Sequence, residues 1–193
     1  MTLLEFAYEN LPHVLCALLL LARIGDVGTT YLVTPNLTLE ANPIARKLGW
    51  PFALVTLAAC LLPYVHMPLA VSASVAFFLV SASNAGKMWI VRTIGEEAYF
   101  AFLLELARKS KLSHALLAIA ASRFFASLAG GTILLFYPWR TDWGFWLDLG
   151  VLLYAGATWF YGTLWTIRLF RRAALPREPE VANRLVGSAS GGE

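Results

Sequence analysis

Five stretches of this 193-residue chain are close to 20 residues long and almost entirely apolar: 11–33, 48–65, 68–91, 115–137 and 145–169. About 20 such residues let a helix cross the roughly 30 Å hydrocarbon core of a bilayer. A backbone in that medium finds no water to bond to, so segments of this length satisfy themselves as helices. The pattern predicts an all-α integral membrane protein, a bundle of five transmembrane helices. Charged residues make up only 14% of the chain, whereas soluble domains carry about a quarter. Residues 1–173 read as one transmembrane domain with no room for a soluble one. Residues 174–193 are rich in Pro, Gly, Ser and Glu, too poor in apolar side chains for a core, and read as a flexible tail. The acidic start, with Glu5 and Glu9, lacks the basic region of a signal peptide, so the first stretch is expected to remain as a helix.

Lys and Arg fall on one side of this arrangement. Arg46 and Lys47 follow the first span, Arg92, Arg108, Lys109 and Lys111 the third, and Arg168, Arg171, Arg172, Arg177 and Arg184 end or follow the fifth. The opposite side offers Arg140, beside Asp142. Cytoplasmic loops carry the basic excess, which predicts a multi-pass protein of the inner (plasma) membrane with its N-terminus outside and its C-terminus in the cytoplasm. The net charge of +3 then reads as a topology signal and an attraction to anionic membrane lipids. Nothing interleaves these cations with aromatics as a nucleic-acid module does, so no nucleic-acid partner is expected.

Residues 96–109 form an amphipathic pattern, with Tyr99, Phe102, Leu103 and Leu106 on one face and Glu97, Glu105 and Arg108 on the other. Glu105 stands four residues before Lys109, a favourable helical pair. This predicts a helix lying in the cytoplasmic membrane interface. Ala118, Ser122, Ala126 and Gly130 recur every fourth residue and predict an internal seam where a neighbouring helix comes close. Trp139, Trp143 and Trp146 mark the outer interface, and Trp50, Trp89 and Trp165 the inner one.

Against this background, Arg23, Lys87 and Arg123 lie inside the apolar stretches. Each costs about 2.5–3.5 kcal/mol to insert, so each calls for a partner or a purpose. Arg23, Asp26 and Thr30 share one helix face by their i, i+3, i+7 spacing. Asn84 and Lys87 end the third span, Arg123 lies in the inner half of the fourth, and Glu40 and Asn42 sit in the loop beneath. All eight fall at one depth, which predicts a polar cluster open to the cytoplasm rather than a through-pore. Two accounts of it stand side by side. In one it is a clasp: Arg23 neutralises Asp26, Asp26 and the threonine hydroxyls cap the loop, Glu40 pairs with Lys87, and Asn42-Pro43 starts the next helix. In the other, three cations facing Asp26 and Glu40 take up a phosphate or carboxylate. Asp26, Glu40 and the Asn42 carbonyl are few ligands for Mg²⁺ or Ca²⁺ with arginines alongside, so no metal is expected, nor any other cofactor.

The pattern Asp26-x-x-Thr29-Thr30, Glu40-x-Asn42-Pro43 and a later Lys87 resembles that of a small uncharacterised prokaryotic polytopic membrane-protein family, known as a domain of unknown function. The likeness covers residues 20–90. It implies that Asp26, Thr30, Glu40, Asn42 and Lys87 act as one unit, and it brings no activity with it. The chain has no Gly-x-Ser-x-Gly, His-Glu-x-x-His or Walker sequence. Cys16 and Cys60 read as small packing residues, and Asp148 as an interface residue that caps a turn or pairs with Arg140. Two functions are expected, the first favoured. One is a non-catalytic accessory or scaffold subunit docked on other membrane proteins. The alternative is a cytoplasm-facing pocket that binds an anionic substrate or lipid headgroup for transport or lipid modification, with Arg23, Lys87 and Arg123 as ligands. The sequence shows neither an internal repeat nor the mid-span helix breaks common in transporters.

Overall fold

Prolines set where the helices begin. Pro12, Pro43, Pro51, Pro63 and Pro68 each stand in the first two positions of a helix, where a missing N–H removes no intrahelical bond. The computed structural model describes residues 9–136 and 142–175. Their elements are α1 (Leu11–Val33), α2 (Pro43–Leu48), α3 (Trp50–Thr56), a 3-10 stretch (Leu57–Leu61), α4 (Leu62–Val65), α5 (Met67–Ile94), α6 (Glu96–Lys109), α7 (Leu112–Phe136) and α8 (Asp142–Ala173). Gly49 and Gly95 separate α2 from α3 and α5 from α6 with φ of +70° and +87°, a backbone region that a Cβ disfavours. The fold is all-α. Residues 137–141, with Trp139 and Arg140, and the tail from 176 onward lie outside the described residues.

Contacts along α1 fix the direction of the chain that returns beside it. Trp50 meets Tyr31, Thr56 meets Arg23, Cys60 meets Leu19 and Tyr64 meets His13. The segment is therefore antiparallel to α1. It covers the length of α1 from residue 31 to 13, about 27 Å at 1.5 Å per residue. Residues 50–64 as pure α-helix climb about 21 Å, and the 3-10 turns, which rise faster, recover about 2.5 Å of the difference. The uniform helix expected over 48–65 is thus replaced by an α, 3-10, α sequence that starts after Gly49.

Leu19 packs with Ala70, Gly25 approaches Ser81 and Thr30 bonds Asn84, so α1 and α5 run in the same direction. At α5's other flank, Ser72 donates to the Trp146 carbonyl at 2.5 Å, and Gly150 sits directly against Ser72 and Val75. The long helices thus order as α1, α5, α8, α7, with α7 attached chiefly to α8. Helix α6 turns back under the end of α8, where Phe100, Leu103, Leu104 and Ala107 meet Trp165, Leu169, Phe170 and Ala173.

Two helices, α1 and α5, are long and apolar enough to cross a membrane; 50–65 and 112–128 form shorter apolar stretches. Only 28% of the most apolar window of α1, and 17% of that of α5, is buried inside the protein. The interior holds Arg23, Asp26, Ser72, Ser74, Asp148 and Thr166 beside Leu15, Leu19, Ala22, Ala70 and Ala155, while Leu54, Val55, Val65, Trp89, Leu117 and Phe125 are 65% to 82% exposed. Large apolar side chains thus cover much of the outer surface.

Two expectations about surfaces need correction. Ala118 and Ser122 are exposed and Ala126 is half-buried, so the first half of the stripe of small residues on α7 is not an internal seam, and the surroundings of Gly130 lie outside what is described; α8 is met through Arg123. On α6 the expected apolar face divides. Leu103 goes to α8, joined by Phe100, Leu104 and Ala107, while Phe102 and Leu106 stay uncovered. The docked flank is set by the side chains at the end of α8 and is invisible in the local pattern of residues 96–109.

Candidate functional site

Arg23 lies on the face of α1 that meets both α3 and α5, and it is only 8% exposed, as is Asp26. Its guanidinium pairs with Asp26 one turn along the same helix, donates from Nε to the Thr56 hydroxyl at 3.1 Å, and lies 4.9 Å above the Phe77 ring. Charge, hydrogen bonds and ring face together use its planar fork, as a buried arginine requires. Asp26 is in addition within hydrogen-bonding reach of Thr30 and within electrostatic reach of Glu40. Thr30 accepts from Asn84 Nδ2 at 3.0 Å, tying α1 to α5. Thr29 does not cap the loop as expected; it bonds back to the Gly25 carbonyl of its own helix at 2.8 Å.

The loop after α1 is held by a carboxylate that the sequence reading passed over. Glu96, the first residue of α6, is buried, and it accepts from the Thr34 hydroxyl, the Asn36 N–H at 3.0 Å and the Thr38 N–H at 2.8 Å. Leu37, between those two N–H groups, has φ of +57°. That left-handed turn aims its neighbours' N–H groups to one side, and such a concavity receives an anion. Burial alone raises a carboxyl's pKa, but the bonds from Thr34, Asn36, Thr38 and Leu39 outweigh it and hold Glu96 below its ordinary value. The available signal was position: an acid directly after a helix-breaking glycine, at the level of a loop rich in Thr and Asn donors.

Glu40 behaves oppositely. Burial pushes its carboxyl above the ordinary value, while N–H groups of Asn42 and Ala41 and the charges of Arg46 and Lys87 pull against this. Its Oε1 accepts from the Asn42 N–H at 2.7 Å. Asn42 in turn caps α2, accepting from Ile44 N–H at 2.9 Å, as the Asn-Pro start predicts. The expected Glu40–Lys87 pair does not close: the ion pairs among the described residues are Arg23–Asp26, Arg108–Glu105 and Lys109–Glu105. Lys87 is exposed on α5, within electrostatic reach of Tyr154, Arg123 and Glu40.

Arg123 completes this second group from α7. Its Nη1 donates to the Tyr154 hydroxyl at 3.3 Å and its guanidinium lies 5.5 Å from the same ring, but its buried Nε has no hydrogen-bond partner. The eight residues therefore converge as two groups sharing Glu40. Arg23, Asp26, Thr30 and Asn84 bind α1, α3 and α5 together, with Glu40 and Asn42 ordering the loop below. Lys87 of α5 and Arg123 of α7 are within electrostatic reach of each other and of Tyr154.

Asp148 departs furthest from its expected place. It is 1% exposed, in the packing of α8, with Oδ1 unpartnered; its suggested partner Arg140 lies outside the described residues. His, Cys, Asp and Glu do not gather in threes among the described residues, and Asp26, Glu40 and Glu96 face guanidinium, hydroxyl and N–H groups. Comparison with protein-family models, with curated proteins and with solved structures returns no match.

Proposed function

We propose that this chain is a multi-pass protein of the inner membrane that crosses it five times, with its C-terminal end in the cytoplasm, and serves as a non-catalytic accessory or scaffold subunit of a larger membrane assembly. The observation that carries the reading is the extent of apolar surface around a core that admits an ion pair. An ion pair, hydroxyls and a carboxylate lie inside while large apolar side chains face outward from every long helix. In water such a surface drives aggregation; in lipid it is the expected one. The scaffold role is supported by how completely the clasp is satisfied. Arg23, Asp26, Thr30, Glu40, Asn42 and Glu96 all hold internal partners, which favours a fixed bundle over an emptied binding site. Helix α7, attached chiefly to α8 with Leu117, Phe124, Phe125 and Leu128 uncovered, is the flank offered to a partner subunit.

Native mass spectrometry of the protein, extracted from its own membrane in mild detergent, tests this. Recovery in a stoichiometric larger assembly is the expected result; recovery alone or as a small homo-oligomer sinks the scaffold role. A second reading, a cytoplasm-facing pocket for an anionic substrate or headgroup, is favoured by one observation: Arg123 Nε is buried with no acceptor. Under it, the recovered protein carries an anion that Arg123→Ala removes.

A further inference from the structure

The end of α8 holds an arginine cluster that belongs to neither group above. Arg168 and Arg172 of α8, Arg46 of α2 and the Thr38 side of the loop line a shallow cleft, partly open to solvent and walled by Phe100 and Trp165, whose free volume of about 10 Å³ holds about one water until its exposed arginines move. Three cations converge here and no carboxylate is among the lining residues. Arg172 leans on the Phe100 ring at 5.8 Å, and Arg46 is within electrostatic reach of Glu40. Arg168 has neither kind of help: its Nη1 is buried and lacks any hydrogen-bond partner. Helix α6 creates the arrangement, because its docking against Trp165 and Leu169 closes one wall. Like charges brought together in a folded structure, one with a donor left unused, call for an anion with several acceptor oxygens.

We infer that this cleft binds a phosphate group, presented by an anionic lipid headgroup or by a soluble phosphate. The fork of Arg168 supplies the fixed contacts from within. Arg46 and Arg172, both exposed, swing aside to admit the group and then close on it, and the Thr38 hydroxyl is a further donor. Trp165 and Phe100 suit a headgroup at the interface. The lipid source rests on the membrane reading proposed above; the soluble source does not.

The test follows thermal unfolding of the full chain in neutral detergent, as inorganic phosphate is added with chloride as the control. In parallel, native mass spectrometry follows lipid retention after reconstitution in phosphatidylcholine alone or mixed with phosphatidic acid. Ligand that binds the folded state raises the midpoint by mass action. Arg168→Gln is expected to abolish the response, and Arg46→Gln or Arg172→Gln to weaken the apparent affinity about tenfold, the loss of one charge-assisted contact. A response to inorganic phosphate marks a soluble source, and a response to phosphatidic acid alone marks the headgroup. Equal responses in the wild type and in an Arg46→Gln/Arg172→Gln double variant, whose side chains are exposed and dispensable for packing, overturn the inference. So does a phosphate response no larger than that to chloride when phosphatidic acid is also retained no better than phosphatidylcholine. If the chain proves soluble without detergent, the membrane reading fails while the phosphate titration still decides this site.

Discussion

Arg23 and Arg123 are the same side chain set among helices, and their surroundings differ in kind. Arg23 has a carboxylate three residues away, a hydroxyl from the returning segment and a ring from α5. Arg123 has one phenol, at 3.3 Å and through its ring face, and an Nε with nothing to bond. The first is enclosed by α1, α3 and α5, and the second stands where α7 touches chiefly α8. A charge that is fully answered from inside serves the fold. A charge that is half answered either burdens the fold or awaits something from outside it.

The sharpest way to break this comparison is to remove the answer to Arg23. Asp26→Asn leaves a buried guanidinium without its counter-charge, and breaking such a pair from one side costs about 3–5 kcal/mol. Folded yield and unfolding midpoint in detergent are expected to collapse. Replacing both partners, Arg23→Leu with Asp26→Leu, is expected to recover most of the loss, because desolvation of both charges disappears with them. Failure of the double variant to recover shows that the Thr56 bond, not the ion pair, carries the contact.

Next in size is a test of the two helix contacts themselves. A Cβ at Gly150 lies 2.6 Å from the Ser72 carbonyl and 2.7 Å from Val75 Cβ, whereas one at Gly25 meets only the Ser81 hydroxyl at 3.1 Å. Backbone cannot step aside and a hydroxyl can rotate. Gly150→Ala is expected to cost about 1–3 kcal/mol by overpacking, read as a lower unfolding midpoint. Gly25→Ala is expected to be near neutral, since alanine's better helix propensity offsets a small adjustment. Equal costs contradict the tight α5–α8 contact.

The two carboxylates of the loop give a pH test with opposite signs. Glu96 is held below its ordinary 4.5 by its hydrogen bonds, so its contribution is complete above that value and fades as pH falls through the depressed one. Glu40 is raised above the same ordinary value by burial. Its protonated form is favoured in the fold, so what it adds is complete below 4.5 and is lost as pH rises through the raised value. Unfolding midpoints across this range are expected to lose acid sensitivity in Glu96→Gln, and to gain slightly near neutral pH in Glu40→Gln. A Glu96→Gln profile identical to wild type removes the carboxylate from the loop's support.

Local rules made α1 and α6 legible to the residue, because a proline start and an apolar run mark the first, and a preceding glycine, an acidic first turn and a basic last turn mark the second. The convergence of Arg23, Asp26, Thr30 and Asn84 followed from helix spacing plus a common depth. What failed needed a neighbour. The 3-10 turns of 57–61 answer to the length of α1, and the docked flank of α6 to the end of α8. Glu96 was missed for a different reason: an acid in the first turn of a helix ordinarily satisfies the helix dipole in solvent, and only the folded loop shows what else it holds.

The smallest expected effect is the one that decides what Arg123 is for. Arg123→Leu removes one long hydrogen bond and a cation–π contact, together about 1–2 kcal/mol of support. It also removes a buried N–H whose lack of a partner costs about as much, and it adds apolar surface on a helix rich in it. The balance is expected within about 1 kcal/mol of zero, against the several lost in Asp26→Asn. Tyr154→Phe deletes the hydroxyl acceptor while keeping the ring, and by the same reasoning is expected to cost about 1 kcal/mol. If Arg123→Leu instead destabilises as strongly as Asp26→Asn, both arginines serve the fold and the second reading of the cluster loses its one supporting observation. If stability holds while an anion seen by native mass spectrometry is lost, the half-answered charge is there for a ligand, and the contrast between the two arginines is the contrast between fold and function.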